Sequence, residues 1–138
     1  LLRTKDVLRN YYLVAGSAGV PTGEVNNTDE RFILSVTNYV YGHLDDPNLS
    51  VNDLAQHMNV SRTQLYLNMK RLFDQTPSVF ILQIKMREAA KLLQTTDKTS
   101  SEISYQLGYC NPNHFSRQFK EYYGVSPSEY KRAKGGNE

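Results

Sequence analysis

From Thr28 onward, apolar residues return every three or four positions, and polar capping residues punctuate each run. Thr28 precedes Asp29 and Glu30, whose carboxylates suit the positive end of a helix dipole. Phe32, Ile33, Val36, Val40 and Leu44 then keep helical spacing until Asp45-Asp46-Pro47-Asn48 ends the run. Ser50-Val51-Asn52-Asp53 has the form of a capping box and opens a short helix to about Met58. Ser61-Arg62-Thr63-Gln64 is a fuller box, opening a helix to about Phe73. Thr76, with Pro77 at the first helical position, predicts a long helix to about Thr95. Thr99 and Glu102 cap a short helix that Gly108 closes. Asn111-Pro112 starts another, closed by Gly124, and Ser126-Pro127-Ser128-Glu129 starts the last. No segment alternates as a strand does, so the expected fold class is all-α.

Upstream, residues 2–14 carry a weaker helical pattern, and Ala15 to Gly23 holds three glycines and a proline in nine residues. That stretch is a linker rather than a phosphate-binding loop, because Gly23 is followed by Glu24 and not by Lys-Ser/Thr. The organisation read from these signals is residues 1–27 as the end of a preceding domain with its linker, 28–134 as the main domain, and 135–138 as a disordered tail. Leu1-Leu2-Arg3-Thr4 is neither an initiator methionine nor a signal peptide. The expectation is a piece of a longer soluble, cytoplasmic chain.

An internal repeat gives the helices a purpose. A shift of 50 residues lays Leu65 on Phe115, Met69 on Phe119, Lys70 on Lys120 and Phe73 on Tyr123. The same shift lays Ser61 on Asn111, Thr76-Pro77-Ser78 on Ser126-Pro127-Ser128, and Phe80 on Tyr130. Leu54 meets Ile103 at an offset of 49, so the second turn is one residue longer. Each unit is a short helix, a tight turn and a longer capped helix, which is the helix-turn-helix arrangement. Its second helix lies in a DNA major groove with its N-terminal residues at base edges. Apolar residues lock that helix down in both copies (Val60, Leu65, Met69; Tyr109, Phe115, Phe119), and hydrogen-bonding side chains fill the other face. The caps Ser61 and Asn111, with Lys70, Arg71, His114 and Lys120, stand where phosphate would be met. The helix from Pro77 to Thr95 spans ~28 Å at ~1.5 Å per residue, against ~34 Å between successive major grooves on one duplex face.

Composition narrows the alternatives. The chain has 138 residues, 39% of them hydrophobic, enough for a modest core. Sixteen basic against 14 acidic residues give a net charge of +2. The charge is uneven: residues 1–48 hold 4 basic and 6 acidic side chains, and residues 49–138 hold 12 and 8. The second part is basic enough to suit an acidic polymer. One cysteine, Cys110, excludes an internal disulfide. The histidines His43, His57 and His114 lack acidic or cysteine partners at ligand spacing, so no metal and no cofactor are expected. No nucleophile–base pair or paired carboxylates stand at usable spacing, which argues against an enzyme. No apolar run approaches the ~20 residues of a membrane span. A helical protein-interaction module is the alternative that the small net charge leaves open.

The stretch Leu49–Lys131 resembles the DNA-binding domain of AraC/XylS-type transcription regulators. The likeness is carried by Leu49-Ser50-Val51-Asn52-Asp53-Leu54-Ala55, by Val60-Ser61-Arg62, and by Ala89-Ala90-Lys91-Leu92-Leu93. It is densest in Ile103, Gly108-Tyr109, Asn113-His114-Phe115-Ser116-Arg117-Gln118-Phe119-Lys120 and Gly124-Val125-Ser126-Pro127-Ser128-Glu129-Tyr130-Lys131. The family often has Arg where Leu67 stands, an aromatic where Met69 stands, and usually Arg where Lys85 stands. The resemblance implies seven helices in two helix-turn-helix subdomains joined by a long connector helix. It implies recognition helices over about 62–73 and 112–123 and double-stranded DNA as the partner. Base contacts would come from Arg62, Thr63 and Tyr66 in the first unit, and from Asn113, Ser116 and Arg117 in the second. The upstream segment is similar to the region joining a response-regulator receiver domain to such a module, as in hybrid two-component regulators. RNA polymerase and a second full-length copy are the further partners this reading carries.

Overall fold

A computed structural model describes residues 28–135 of the chain. The expected N-terminal helix and linker, and residues 136–138 of the expected tail, lie outside the described residues. Among the described residues the structure is helical throughout: α1 Thr28–Gly42, α2 Val51–Met58, α3 Arg62–Phe73, α4 Pro77–Thr95, α5 Ser100–Gln106, α6 Pro112–Tyr123 and α7 Pro127–Gly135. The chain forms two compact units. One holds residues 28–43 with Leu49–Ile84; the other holds Leu44–Asn48 with residues 85–135.

In the first unit α1 packs on α2 and α2 on α3. Ile33, Val36 and Val40 of α1, Leu54 and Ala55 of α2, and Leu65, Met69, Leu72 and Phe73 of α3 are all removed from solvent. Phe80, Ile81 and Ile84 of α4 complete this core, with the Phe73 and Phe80 rings 4.5 Å apart. Ser50 Oγ accepts from Asp53 N–H and Ser61 Oγ from Gln64 N–H, so both expected hydroxyl caps are made. Asn59 turns the chain between α2 and α3 at φ 59°, with Val60 N–H donating to the Ala55 carbonyl.

The helical run behind Thr28 stops earlier than its apolar spacing predicts. α1 ends at Gly42, and His43 Nδ1 lies 2.8 Å from the Tyr39 carbonyl oxygen. The Tyr39 ring stacks between the rings of His43 and His57, at 4.0 and 4.3 Å. Leu44 leaves the first unit and is buried in the second.

In the second unit α5 packs on α6 and α6 on α7. Leu44, Met86, Ala89, Leu92, Leu93, Ile103, Leu107, Tyr109, Phe115 and Phe119 are buried there. Phe119 lies 4.7 Å from Tyr123 and 5.4 Å from Tyr130, extending the core as a run of rings. Tyr123 donates its hydroxyl to the Met86 carbonyl, and burial pushes it up to about 12. Reciprocal capping boxes form at Thr99/Glu102 and Ser126/Glu129. Lys131 Nζ donates to the Leu93 and Thr96 carbonyls at 3.3 and 2.7 Å, placing a cation at the carbonyl end of α4.

Gly108 makes the turn between α5 and α6 at φ +85°. A methyl group there would meet the Leu44 carbonyl oxygen at 2.8 Å and that of Asp46 at 3.0 Å. The position therefore requires glycine twice, for its backbone angle and for the close passage of the 44–48 segment. The extra residue implied by the 49-residue offset lies after the left-handed residue: Asn59 is followed by the cap Ser61, and Gly108 by the cap Asn111.

Candidate nucleic-acid interface

α3 and α6 are the two helices expected to read DNA, and both are twelve residues long. Their boundaries match the sequence reading because local caps set them: Ser61 before α3, and Asn111 with Pro112 before α6. In α3, Leu65, Met69, Leu72 and Phe73 are buried, while Arg62, Thr63, Tyr66, Leu67 and Lys70 are exposed. At about 100° per residue, Thr63, Tyr66 and Lys70 fall within one quadrant of the helix beside the buried face, while Arg62 shares the angle of Met69 and Phe73 and is exposed in the first turn. In α6, Phe115 and Phe119 are buried; Asn113, His114, Arg117 and Lys120 are exposed and Ser116 is half-buried. Asn113, Ser116, Arg117 and Lys120 share one stripe by the same periodicity.

The helix starts differ. In α3, Ser61 caps the Gln64 amide, and the amides of Arg62 and Thr63 have no partner among the described residues. They remain open to an acceptor. In α6, Asn111 Oδ1 accepts from Asn113 N–H at 2.8 Å, and the Asn111 carbonyl accepts from His114 and Phe115. Pro112 has no N–H, so the first turn of α6 offers an incoming phosphate side chains rather than amides. Arg62, Thr63 and Tyr66 also line an open groove of about 680 Å³ with Val51, Thr76, Pro77 and Ser78.

Tyr109 fixes α6 from below. Its hydroxyl donates to Gln118 Oε1, its ring meets those of His114 at 5.4 Å and Phe115 at 5.3 Å, and Lys85 Nζ sits 4.9 Å from its centre. Burial pushes the Tyr109 hydroxyl up to about 12 and lowers the Lys85 ammonium. Lys85 is thus an intramolecular partner. His114 is exposed toward solvent while its ring edge packs on Tyr109.

One basic residue is committed elsewhere. Arg71, placed by the sequence among the phosphate-facing cations, forms a two-pronged pair with Asp29 at 3.0 and 3.1 Å. Its hydrogen bonds hold the Asp29 carboxyl below its usual range. One exposed residue was missed. Leu67 is 56% exposed on α3, and the 50-residue offset lays it on Arg117. That offset is the signal that would have found it.

A short helix, a left-handed turn and a capped second helix with one side buried and one open define a helix-turn-helix protein, and this chain builds the unit twice. Residues 54–133 match the family described as helix-turn-helix domain, and the chain belongs to it, in its AraC-type branch. It is 30% identical over 135 residues, 94% of its own length, to histidine kinase P4 of Formosa agariphila, covering 10% of that protein. Its fold superposes on the C-terminal domain of AraT, a response regulator from Geobacillus stearothermophilus (TM-score 0.70, 28% identity, 80% of this chain and 88% of that one). It superposes equally on an AraC-type transcriptional regulator from Chromobacterium violaceum (TM-score 0.70, 25% identity, 79% and 96%). The chain spans well under half the length of the curated relatives it matches. Among the described residues no helix is long and apolar enough to cross a membrane.

Proposed function

We propose that this chain is the DNA-reading output domain of a two-component transcription regulator, with α3 and α6 each entering a major groove of one specific duplex site. The observation that carries the reading is the repetition of one outward helix face at a 50-residue offset: Thr63 and Tyr66 in the first unit fall on Asn113 and Ser116 in the second, with Arg62 and Arg117 exposed on the same two helices. These six side chains are proposed to meet base edges, where donors and acceptors distinguish all four base pairs. Lys70, Lys120 and His114 meet phosphates, as do the helix starts capped by Ser61 and Asn111. The role is binding without catalysis, exercised in the cytoplasm. Likeness to a histidine kinase and to a response regulator's C-terminal domain supports placing the activating event elsewhere in the full-length protein. Activation would bring two full-length copies together beside RNA polymerase.

Selection from random duplexes, followed by anisotropy titrations of the enriched site, tests this reading. The expected site covers about two helical turns, and affinity falls steeply with salt. Arg117→Ala should cost roughly 1–3 kcal/mol and relax specificity at one position of one half-site. A variant as selective as wild type at every position would remove Arg117 from the reading face. Ultracentrifugation of the full-length protein, with and without activation, checks dimerisation; an unchanged mass would count against it.

A further inference from the structure

We infer that Leu67 is a base-reading residue of the first unit and that the group it reads is the C5-methyl of thymine. The inference rests on the DNA-binding reading above. Ser61 and Asn111 cap helices of equal length 50 residues apart, so Leu67 and Arg117 stand at the same step of their own helices, as do Tyr66 and Ser116. Arg117 is exposed in the stripe that faces DNA in the proposed function. Its counterpart Leu67 is 56% exposed, and neighbouring Tyr66 is 46% exposed. Two large side chains with apolar surface therefore stand side by side in solvent on the helix whose role is to meet DNA.

The occupant follows from charge and from the chemistry of the groove. Thr63 and Lys70 lie one turn either side of Leu67, and Arg62 opens the same helix, all exposed. An apolar contact beside Lys70, on a helix that Arg62 and its open amides begin, suits a polyanion better than an apolar protein groove. Leucine has neither donor nor acceptor. The apolar group that a major groove offers it is the thymine methyl. The two units thus read with different chemistry, a methyl contact from α3 and a guanidinium on the guanine acceptors from α6.

The test uses the 138-residue chain and its selected duplex, with each thymine of the first unit's half-site replaced in turn by deoxyuridine, which removes only the methyl group. One such replacement is expected to weaken wild-type binding about fourfold, the worth of one buried methyl. Leu67→Ala is expected to bind the thymine and deoxyuridine duplexes equally, and Leu67→Arg to shift the preference at that position from thymine toward guanine. Arg117→Ala should keep the deoxyuridine effect. If Leu67→Ala discriminates thymine from deoxyuridine as wild type does at every position, the inference is overturned while DNA binding stands. If Leu67→Ala leaves the DNA profile intact and instead abolishes self-association in ultracentrifugation, Leu67 belongs to a protein contact and the inference is also overturned. If wild type selects no duplex at all, the parent reading fails with it.

Discussion

The two units solve one backbone problem with different residues. The first turns at Asn59 and ends its reading helix at Asp74, both side-chain-bearing residues in the left-handed region at φ 59° and 58°. The second uses Gly108 and Gly124 at φ 85° and 84°. Asn and Asp tolerate that region because their short polar side chains bond locally, whereas glycine enters it without steric cost. The difference teaches that geometry can persist after its most visible marker is gone. It also explains why the family likeness is looser in the first unit: that unit keeps the turn and drops the glycine.

The largest expected effect is at Gly108. Gly108→Ala should cost more than the ~1–2 kcal/mol of the backbone angle alone, because the added methyl strikes the 44–48 carbonyls. Gly124→Ala should cost only the backbone term, since nothing lies within 4 Å of an added methyl there. Urea denaturation of the two variants compares them, and equal losses would mean that the 44–48 passage yields freely. In the first unit the sign reverses. Asn59→Gly and Asp74→Gly should each be neutral to stabilising by up to ~1 kcal/mol, relieving left-handed strain against added chain entropy.

Alkali should separate the units next. Burial holds Tyr109 and Tyr123, both in the second unit, near about 12, against about 10 for a free tyrosine. Between those values the unfolded chain has already lost protons that the folded chain keeps. Stability from these groups is therefore complete below pH ~10 and lost as pH rises toward ~12. Tyr109→Phe and Tyr123→Phe should each flatten that decline, and each should remove one late step from an ultraviolet titration of the protein. The smallest effect belongs to the first unit's Asp29–Arg71 pair, which is half exposed. Asp29→Ala should cost under ~1 kcal/mol, and added salt should shrink the loss.

What the sequence made legible was set locally. The ends of α3, α4 and α6 fall where caps and prolines placed them, because a cap is a bond between residues two or three apart. The exposed faces followed from period alone. What escaped depends on partners distant in the chain. Nothing near Leu44 tells it to leave α1 for the other unit. Arg71 reads as a free cation until Asp29, 42 residues earlier, comes to its side. Lys131 gives no local sign that it will cover the carbonyl end of α4. Leu67 was hidden differently: its polarity argues against a reading role, and only its alignment with Arg117 restores one.

The passage of the 44–48 segment beneath Gly108 also imposes an order in time. A ribosome releases these residues before α2, yet their burial partner is synthesised only after four further helices. The first unit has every core residue in hand once Ile84 has emerged, whereas Leu44 must idle in water, tethered and unsheltered, until the α5–α6 corner appears. The earlier-made half therefore folds while carrying an unfinished piece of its neighbour, and synthesis at ~5–20 residues per second, far slower than the closing of a loop, sets the pace at which the nascent domain becomes complete.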